Sequence, residues 1–423
     1  MIGIPEIIQT IVSFISLYYI VFWILVLLEG DESIERKSHM KKTPTVSILV
    51  PAYNEEKSIA LTLKSIKELD YKKKCIKIIF INDGSKDKTY KKAERFLNPL
   101  KKANLYNGII LLNQKNSGKH SALNNGLKYC DTDFVATLDA DSYPQKDALK
   151  KIISCFYDKE IAAVSSVVRI YKPANFLQSI QRFEYILNHY LKSILSKLNA
   201  IHVLPGPLSV YRTEIVKEMD GFREAHKTED MDIAMRMHQK KYKIIQCNCS
   251  FVYTTAPYTL KELFVQRHRW NYGTFKNLFD YRKMIFNKKF GDFGVFQMPM
   301  IFASGVLGIT TLSLLLFDSW KQAKPQFKLL SLYNFNIIEY IKSMTVNFIW
   351  LDIDAKTIVI FSFFLVINII VMIIAMRSYR ERYILKSTLS LIGFMFFYYL
   401  FLSFVWLVVF RDMIIGKETG WKK

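Results

Sequence analysis

Ser47-Ile48-Leu49-Val50-Pro51-Ala52-Tyr53-Asn54-Glu55 is the stretch on which the fold turns. The apolar run over 47–50 reads as a strand, and the polar break after it leads into a helical pattern over 55–69. The alternation continues downstream. Residues 77–81 read as a strand before a helix over 88–96. Residues 108–112 and 134–138 are the next strands, with a helix over 119–129 between them. Strands that are apolar throughout and separated by helices specify an α/β fold with a mainly parallel sheet covered on both faces. Ligands of such sheets bind beyond the carboxyl ends of the strands. Three polar tips stand there: Pro51-Ala52-Tyr53-Asn54-Glu55, Asn82-Asp83-Gly84-Ser85 and Asp139-Ala140-Asp141.

Outward from this core the chain changes character. Residues 7–28 carry no charge and are long enough to cross about 30 Å of hydrocarbon at about 1.5 Å per residue. A cleaved leader would open with Lys or Arg; here Glu6 sits in front and the first basic residue is Arg36. Arg36, Lys37, Lys41 and Lys42 all follow the apolar run, which puts its C-terminal end, and the middle of the chain, in the cytosol. Three more spans are expected at 293–317, 357–376 and 387–410. Residues 337–351 are apolar but shorter and carry Glu339 and Lys342, so they read as interfacial or re-entrant. The expected organisation is an N-terminal span in 1–29, a cytosolic domain in 30–292, and a membrane region of about three spans in 293–423. Such a multi-pass chain belongs in the cell (plasma) membrane.

The 423 residues hold 59 Lys and Arg against 37 Asp and Glu, a net charge of +22, with 51% hydrophobic residues. Charge-free apolar runs beside a Lys-rich middle exclude a disordered chain, a disulfide scaffold and a simple soluble enzyme. The five Cys form no CxxC pair and the seven His no HExxH, so neither a zinc finger nor a His-built metal site is expected. The positive excess needs no nucleic acid. Arg377, Arg380, Arg382 and Lys386, and Arg282, Lys283, Lys288 and Lys289, flank expected spans, as cytosolic orientation and anionic lipid headgroups require.

Several motifs carry chemistry. Asp139 and Asp141 emerge one residue apart at a sheet rim, where two carboxylates can hold a sugar and a Mg²⁺ or Mn²⁺ that bridges a diphosphate. Gly118-Lys119 opens a helix whose amides and ammonium make a seat for phosphate. Thr228-Glu229-Asp230 opens another helix, with Thr228 placed as its cap. Gln266-Arg267-His268-Arg269-Trp270 is a dense polar-aromatic run ahead of the basic stretch 276–289. Each motif alone has a plain structural reading as a turn, a cap or an amphipathic helix. Their order is the signal.

Taken in order, PAYNE, NDGS, the Gly-Lys helix start with ALNNG, DAD, GPLSVYR, TED and QRHRW resemble the membrane-embedded family 2 glycosyltransferases. The resemblance is greatest to the processive synthases of cellulose, chitin, hyaluronan and poly-N-acetylglucosamine, and it covers about 45–277 plus the flanking spans. It implies a cytosolic GT-A domain, a UDP-sugar donor, a growing β-linked glycan acceptor and Mg²⁺ or Mn²⁺. Ala52, Tyr53, Glu55 and Asp83 would hold the nucleoside, Lys119 and Asp139 the diphosphate and donor sugar, and Asp141 the metal. Asp230 would be the general base of an inverting transfer, with Glu229 beside it. Gln266, Arg269 and Trp270 would bind the diphosphate and the acceptor end of the glycan. Gly206 in Gly206-Pro207-Leu208 follows the hyaluronan and chitin synthase form, and N-acetylglucosamine is the sugar expected.

Three competing readings make different demands. A relative that moves one sugar to a lipid-linked acceptor shares everything through DAD and usually lacks Q-x-x-R-W. A transporter needs ionisable residues inside its spans, and those after Phe293 are nearly free of them. A dead scaffold would have lost Asp83, Asp139, Asp141 and Asp230, and all four are present.

Overall fold

The computed structural model describes residues 4–28, 43–343, 355–381 and 387–417. Its core is one sheet of eight strands: β1 (Val46–Ala52), β2 (Ile76–Asp83), β3 (Gly108–Gln114), β4 (Phe134–Thr137), β5 (Ser142–Pro144), β6 (Ile161–Ile170), β7 (Ser209–Arg212) and β8 (Lys243–Thr254). They lie in the order β3-β2-β1-β4-β7-β6-β8-β5. The first four are parallel, β1 running against β2 from Val46↔Ile76 to Ala52↔Asn82. β7 enters antiparallel between β4 and β6, and β5 pairs antiparallel with β8, so the sheet is mixed and mostly parallel.

Both faces are covered, as fully apolar strands require. One buries Ile48, Val50, Ile78 and Phe80 under helices α2 (Ile59–Lys67), α3 (Thr89–Lys102) and α5 (Ala148–Ser154), with α4 (Lys119–Leu127) on the other face. There Leu49, Ile79 and Ile81 meet Ala122 and Leu123 of α4, and residues of α7 (Thr213–Glu218) and α8 (Glu229–Gln239). The long helix α6 (Phe176–Lys197) lies between β6 and the C-terminal helices. Helix α9 (Leu260–Asp280) starts on a capping box in which Thr259 and Glu262 satisfy each other's amides.

The apolar stretches at both ends are helical: α1 (Ile4–Leu28), α10 (Met298–Leu332), α11 (Ile337–Ser343), α12 (Ala355–Ser378), and α13 (Thr388–Gly393) running through a π-turn into α14 (Tyr399–Ile414). By length and composition, two of these continuous helices can cross a bilayer, Phe293–Leu332 and Thr388–Ile414; 7–23 and 362–378 are shorter apolar helices. The expectation at 293–317 thus grows to a helix ending at Leu332. Arg36, Lys37, Lys41, Lys42, Arg382, Lys386 and residues 344–351 lie outside the described residues. These helices dock on the sheet domain. Phe22 of α1 stacks on Phe296 at 3.7 Å. Ile180, Phe183 and Ile186 of α6 bury against Met372, Ala375 and Met376 of α12. Tyr272 of α9 packs with Val405 and Val409 of α14.

Candidate active site

The carboxyl ends of β1, β2 and β4 converge, as the strand order demands. Asp83, the last residue of β2, is 4% exposed. Its Oδ1 accepts from the Ser117 amide (3.0 Å) and from Gln114 Nε2 (2.8 Å), and its Oδ2 from the Gly118 amide (3.0 Å). Gly118, at φ +91°, then turns the chain into α4, a conformation that glycine adopts without strain. Asp83 therefore braces the turn that projects Lys119. The Ala52 side chain is buried, and the Glu55 amide is tied to Thr89 Oγ1 at 2.7 Å while its carboxylate accepts from Ser58.

Lys119 Nζ sits 2.6 Å from Asp139 Oδ1 and 3.2 Å from Glu229 Oε1. Burial alone would lower its pKa, but Asp139, Glu229 and Asp230 outweigh burial and hold it above the usual lysine value. The loop before β7 passes so close that a Cβ on Gly206 would lie 2.4 Å from Lys119 Nζ and 2.5 Å from both Asp139 oxygens. Only glycine fits there with the pair in place.

The acidic turn is held from behind by α9. Thr228 does not cap α8 with its side chain, contrary to the sequence expectation; its φ/ψ is −132°/55°. Its hydroxyl instead donates to the Ala225 carbonyl (2.8 Å) and accepts from Asn277 Nδ2 (2.7 Å). Asp232 is fixed by Arg236 Nε (2.7 Å) and the Tyr281 hydroxyl (2.6 Å). Asp230 is left on the cavity wall. Burial first, then Glu229, pushes its carboxyl up to about 6, with Asp139 adding and Lys119 and Arg269 opposing. A carboxylate tuned toward neutrality suits a proton acceptor.

The QRHRW run serves both the packing of α9 and the cavity, which Arg267 borders along with Gln266, Arg269 and Trp270. Arg267 and His268 are buried and structural: Arg267 pairs with Glu184 at 2.6 Å, which also accepts from the Tyr398 hydroxyl, and His268 meets Asp412 at 3.0 Å. These contacts tie α9 to α6 and α14. Gln266, Arg269 and Trp270 line the cavity, with the Arg267 guanidinium 4.2 Å from the centre of the Trp270 ring.

One cavity of about 1180 Å³ collects Tyr53, Lys119, Asp139, Asp141, Gly206, Glu229, Asp230, Gln266, Arg269 and Trp270. Ala52, Glu55 and Asp83 stand behind the wall rather than on it. Lys192, His202, Tyr19 and Trp23 of α1, and Met300, Ile301 and Leu307 of α10 line the same cavity. Sequence reasoning missed Lys192 and His202, since a lysine and a histidine at these positions have no local motif. Among the described residues, no three His, Cys, Asp or Glu side chains form a metal site unaided. Asp139 and Asp141 supply hard oxygens, a donor set that fits Mg²⁺ or Mn²⁺ when a ligand brings the remaining oxygens.

Residues 134–413 match the family described as Glycosyl transferase family group 2, and residues 47–220 match Glycosyl transferase family 2. The chain belongs to the family 2 glycosyltransferases. This glycosyltransferase is 29% identical over 270 residues to the poly-β-1,6-N-acetyl-D-glucosamine synthase of Staphylococcus aureus (strain COL), covering 62% of this chain and 64% of that one. The synthase of the same name from Staphylococcus epidermidis (strain ATCC 35984) is 29% identical over 266 residues, covering 63% of its length. The match thus spans a little under two thirds of these relatives. The mannosyltransferase PcManGT from Pyrobaculum calidifontis, solved with GDP-Man and Mn²⁺, superposes with a TM-score of 0.62 at 16% identity over 96% of both chains. The likeness is one of fold, and that fold is GT-A-like.

Proposed function

We propose that this glycosyltransferase moves N-acetylglucosamine with inversion from UDP-N-acetylglucosamine to the end of a growing β-linked polysaccharide, and passes the product across the membrane. The observation that carries the reading is the continuity of the cavity. The same cavity is lined by the Lys119–Asp139 pair and Asp230 and by residues of α1 and α10. The relatives named as poly-β-1,6-N-acetyl-D-glucosamine synthases support the choice of sugar and polymer.

In this reading Tyr53 lies against the nucleoside, and Lys119 and Arg269 face the diphosphate. Asp139 and Asp141 would hold a Mg²⁺ or Mn²⁺, whose charge offsets that on the departing UDP. Asp230 takes the proton of the acceptor hydroxyl as its oxygen bonds to C1 and the C1–O bond to UDP breaks. The electron pair leaves with UDP, and the proton stays on the Asp230 carboxyl. Gly206 keeps the Lys119–Asp139 pair in register, and Trp270 gives the acceptor ring a flat apolar face. The domain of 30–292 faces the cytosol, and the basic loops beside α10 and α12 meet anionic lipid.

Membranes carrying the full chain, offered labelled UDP-N-acetylglucosamine, UDP-glucose, UDP-glucuronate and GDP-mannose one at a time, test the donor. Incorporation from the first alone is expected; incorporation from GDP-mannose alone would overturn the reading.

A further inference from the structure

Cys247-Asn248-Cys249 lies in β8, far in sequence from Cys155, the residue that ends α5. In a regular strand, residues two positions apart share a face with their Cα atoms about 6–7 Å from each other. Here β8 is not regular. Where β6 advances from Ser166 to Val167, β8 advances from Cys247 to Phe251, a bulge that takes Asn248, Cys249 and Ser250 out of the pairing. Ser250 is pinned inward, its hydroxyl 2.9 Å from Ser166 Oγ and donating to the Ala148 carbonyl at 3.0 Å. Beside it, Cys249 Sγ comes to 3.4 Å from Cys247 Sγ.

Cys155 closes the group. Its thiol and that of Cys247 both donate to the Lys151 carbonyl, each at 3.5 Å. Three free thiols from two elements thus meet over the last turn of α5, and none of them lines the catalytic cavity. Their exposure differs: Cys247 is buried, Cys155 half-buried and Cys249 exposed.

Thiol chemistry divides the roles, because the thiolate is the reactive form. Hydrogen bonds from Cys155 and then Cys247, with the Lys151 ammonium adding, hold the Cys249 thiol below its usual value against burial. The bonds of Cys247 to Cys155 and Cys249, and then burial, push its own thiol well up. The proton stays on the buried sulfur and the charge on the exposed one. A low-lying exposed thiol next to a second thiol is the arrangement that oxidation requires, and a spacing of two along a strand falls within the Cα separation a disulfide bridges.

We infer that Cys249 is a site of oxidation by hydrogen peroxide and that Cys247 resolves it into an intrachain disulfide. The Cys249 thiolate attacks one peroxide oxygen, the O–O bond breaks, and hydroxide leaves with the electron pair. Cys249 is then a sulfenic acid. The Cys247 sulfur bonds to the Cys249 sulfur as the S–O bond breaks, and the hydroxide released takes the Cys247 proton and departs as water. The two sulfurs together lose two electrons, and the peroxide is reduced to water and hydroxide. A bridge on an exposed bulge is open to attack by other thiols, so the mark is reversible.

The test uses the full chain in detergent, freed of reductant, with hydrogen peroxide as the probe. After alkylation with iodoacetamide, trypsin leaves Cys247 and Cys249 on one peptide, 244–261, and Cys155 on another, 152–159. Mass spectrometry should show peptide 244–261 losing two hydrogens and both alkylation sites at least about tenfold faster than Cys75 is oxidised. Dithiothreitol should restore it. Cys249→Ser should abolish the fast reaction, whereas Cys247→Ser should leave Cys249 as a sulfenic acid that dimedone captures. Because Cys249 is exposed, Cys249→Ser reads the chemistry even where Cys247→Ser fails to fold. Oxidation of 244–261 no faster than that of Cys75 would overturn the inference, as would a wild-type rate in Cys249→Ser or a bridge joining 152–159 to 244–261.

Discussion

Asp230→Asn should inactivate the enzyme and stabilise it. The Asp230 carboxyl is raised from 3.8 to about 6, a little over two units, and each unit corresponds to about 1.4 kcal/mol. The ionised side chain therefore destabilises the folded chain by up to about 3 kcal/mol, or roughly half that once its contact with cavity water is counted. The sign is fixed by linkage. Between about pH 4 and pH 6 the folded protein keeps a proton that the unfolded chain has lost, so stability falls as pH rises through that window and levels off above it. Asparagine carries no such proton, and its side-chain oxygen can still accept from the Met231 amide as Asp230 does at 2.9 Å. Thermal unfolding of the two proteins in detergent should therefore diverge with pH. They should match near pH 4, and the variant should lead by a few °C at pH 7.5, since 1 kcal/mol moves Tm by about 2–4 °C in domains of 150–250 residues. Turnover should fall at least about a hundredfold while UDP still binds. A variant that is less stable at pH 7.5, or one with wild-type turnover, would refute the reasoning.

The remaining expectations concern other parts of the cavity. Gly206→Ala should raise the KM for the donor at least about tenfold without unfolding the chain, because its Cβ displaces the Lys119–Asp139 pair; donor titration measures it. Arg267→Met should destabilise by about 3–5 kcal/mol, by stranding the buried Glu184 carboxylate. Arg269→Met should leave Tm nearly unchanged and reduce turnover, so unfolding and kinetics together separate the two arginines. Chelator should abolish transfer and Mn²⁺ restore it. Asp141→Asn should insert normally yet lose nearly all activity, and full activity in excess chelator would remove the metal from the account.

The parallel run β1 to β4 was legible because β1, β2 and β4 are buried on both faces and, with the edge strand β3, read as apolar runs. Their ends were less so. β2 continues through Asn82 and Asp83, polar residues that pair in register with Asn113 and Gln114 of β3. In the rest of the sheet β5 and β7, at three and four residues, are too short to show a period, while the long parallel pair β6 and β8 lacks the strand–helix alternation that marked β1 to β4. Of the residues singled out from the motifs, Tyr53, Lys119, Asp139, Asp141, Gly206, Glu229, Asp230, Gln266, Arg269 and Trp270 share one cavity. Asp83, expected at the nucleoside, also accepts from the Ser117 and Gly118 amides and from Gln114 Nε2, since an Asp at a strand end serves a turn as readily as a ligand. Thr228 looked like a cap and bonds to Asn277, 49 positions away. Arg267 and Arg269 both border the cavity, yet Arg267 is buried and paired with Glu184 of α6, which only the packing of α9 reveals. Lys192 was illegible: a lysine on an amphipathic helix is ordinarily solvated, and only tertiary packing buries it.

The most direct test of the central claim is the number of sugars added per acceptor. Membranes carrying the protein are given labelled UDP-N-acetylglucosamine, and product length on a gel is measured beside the UDP released. The account predicts long, heterogeneous β-linked chains with many UDP released per product molecule, and a Trp270→Ala protein that binds donor yet makes no long product. A wild type that releases one UDP per lipid-linked product and stops would contradict polymer synthesis.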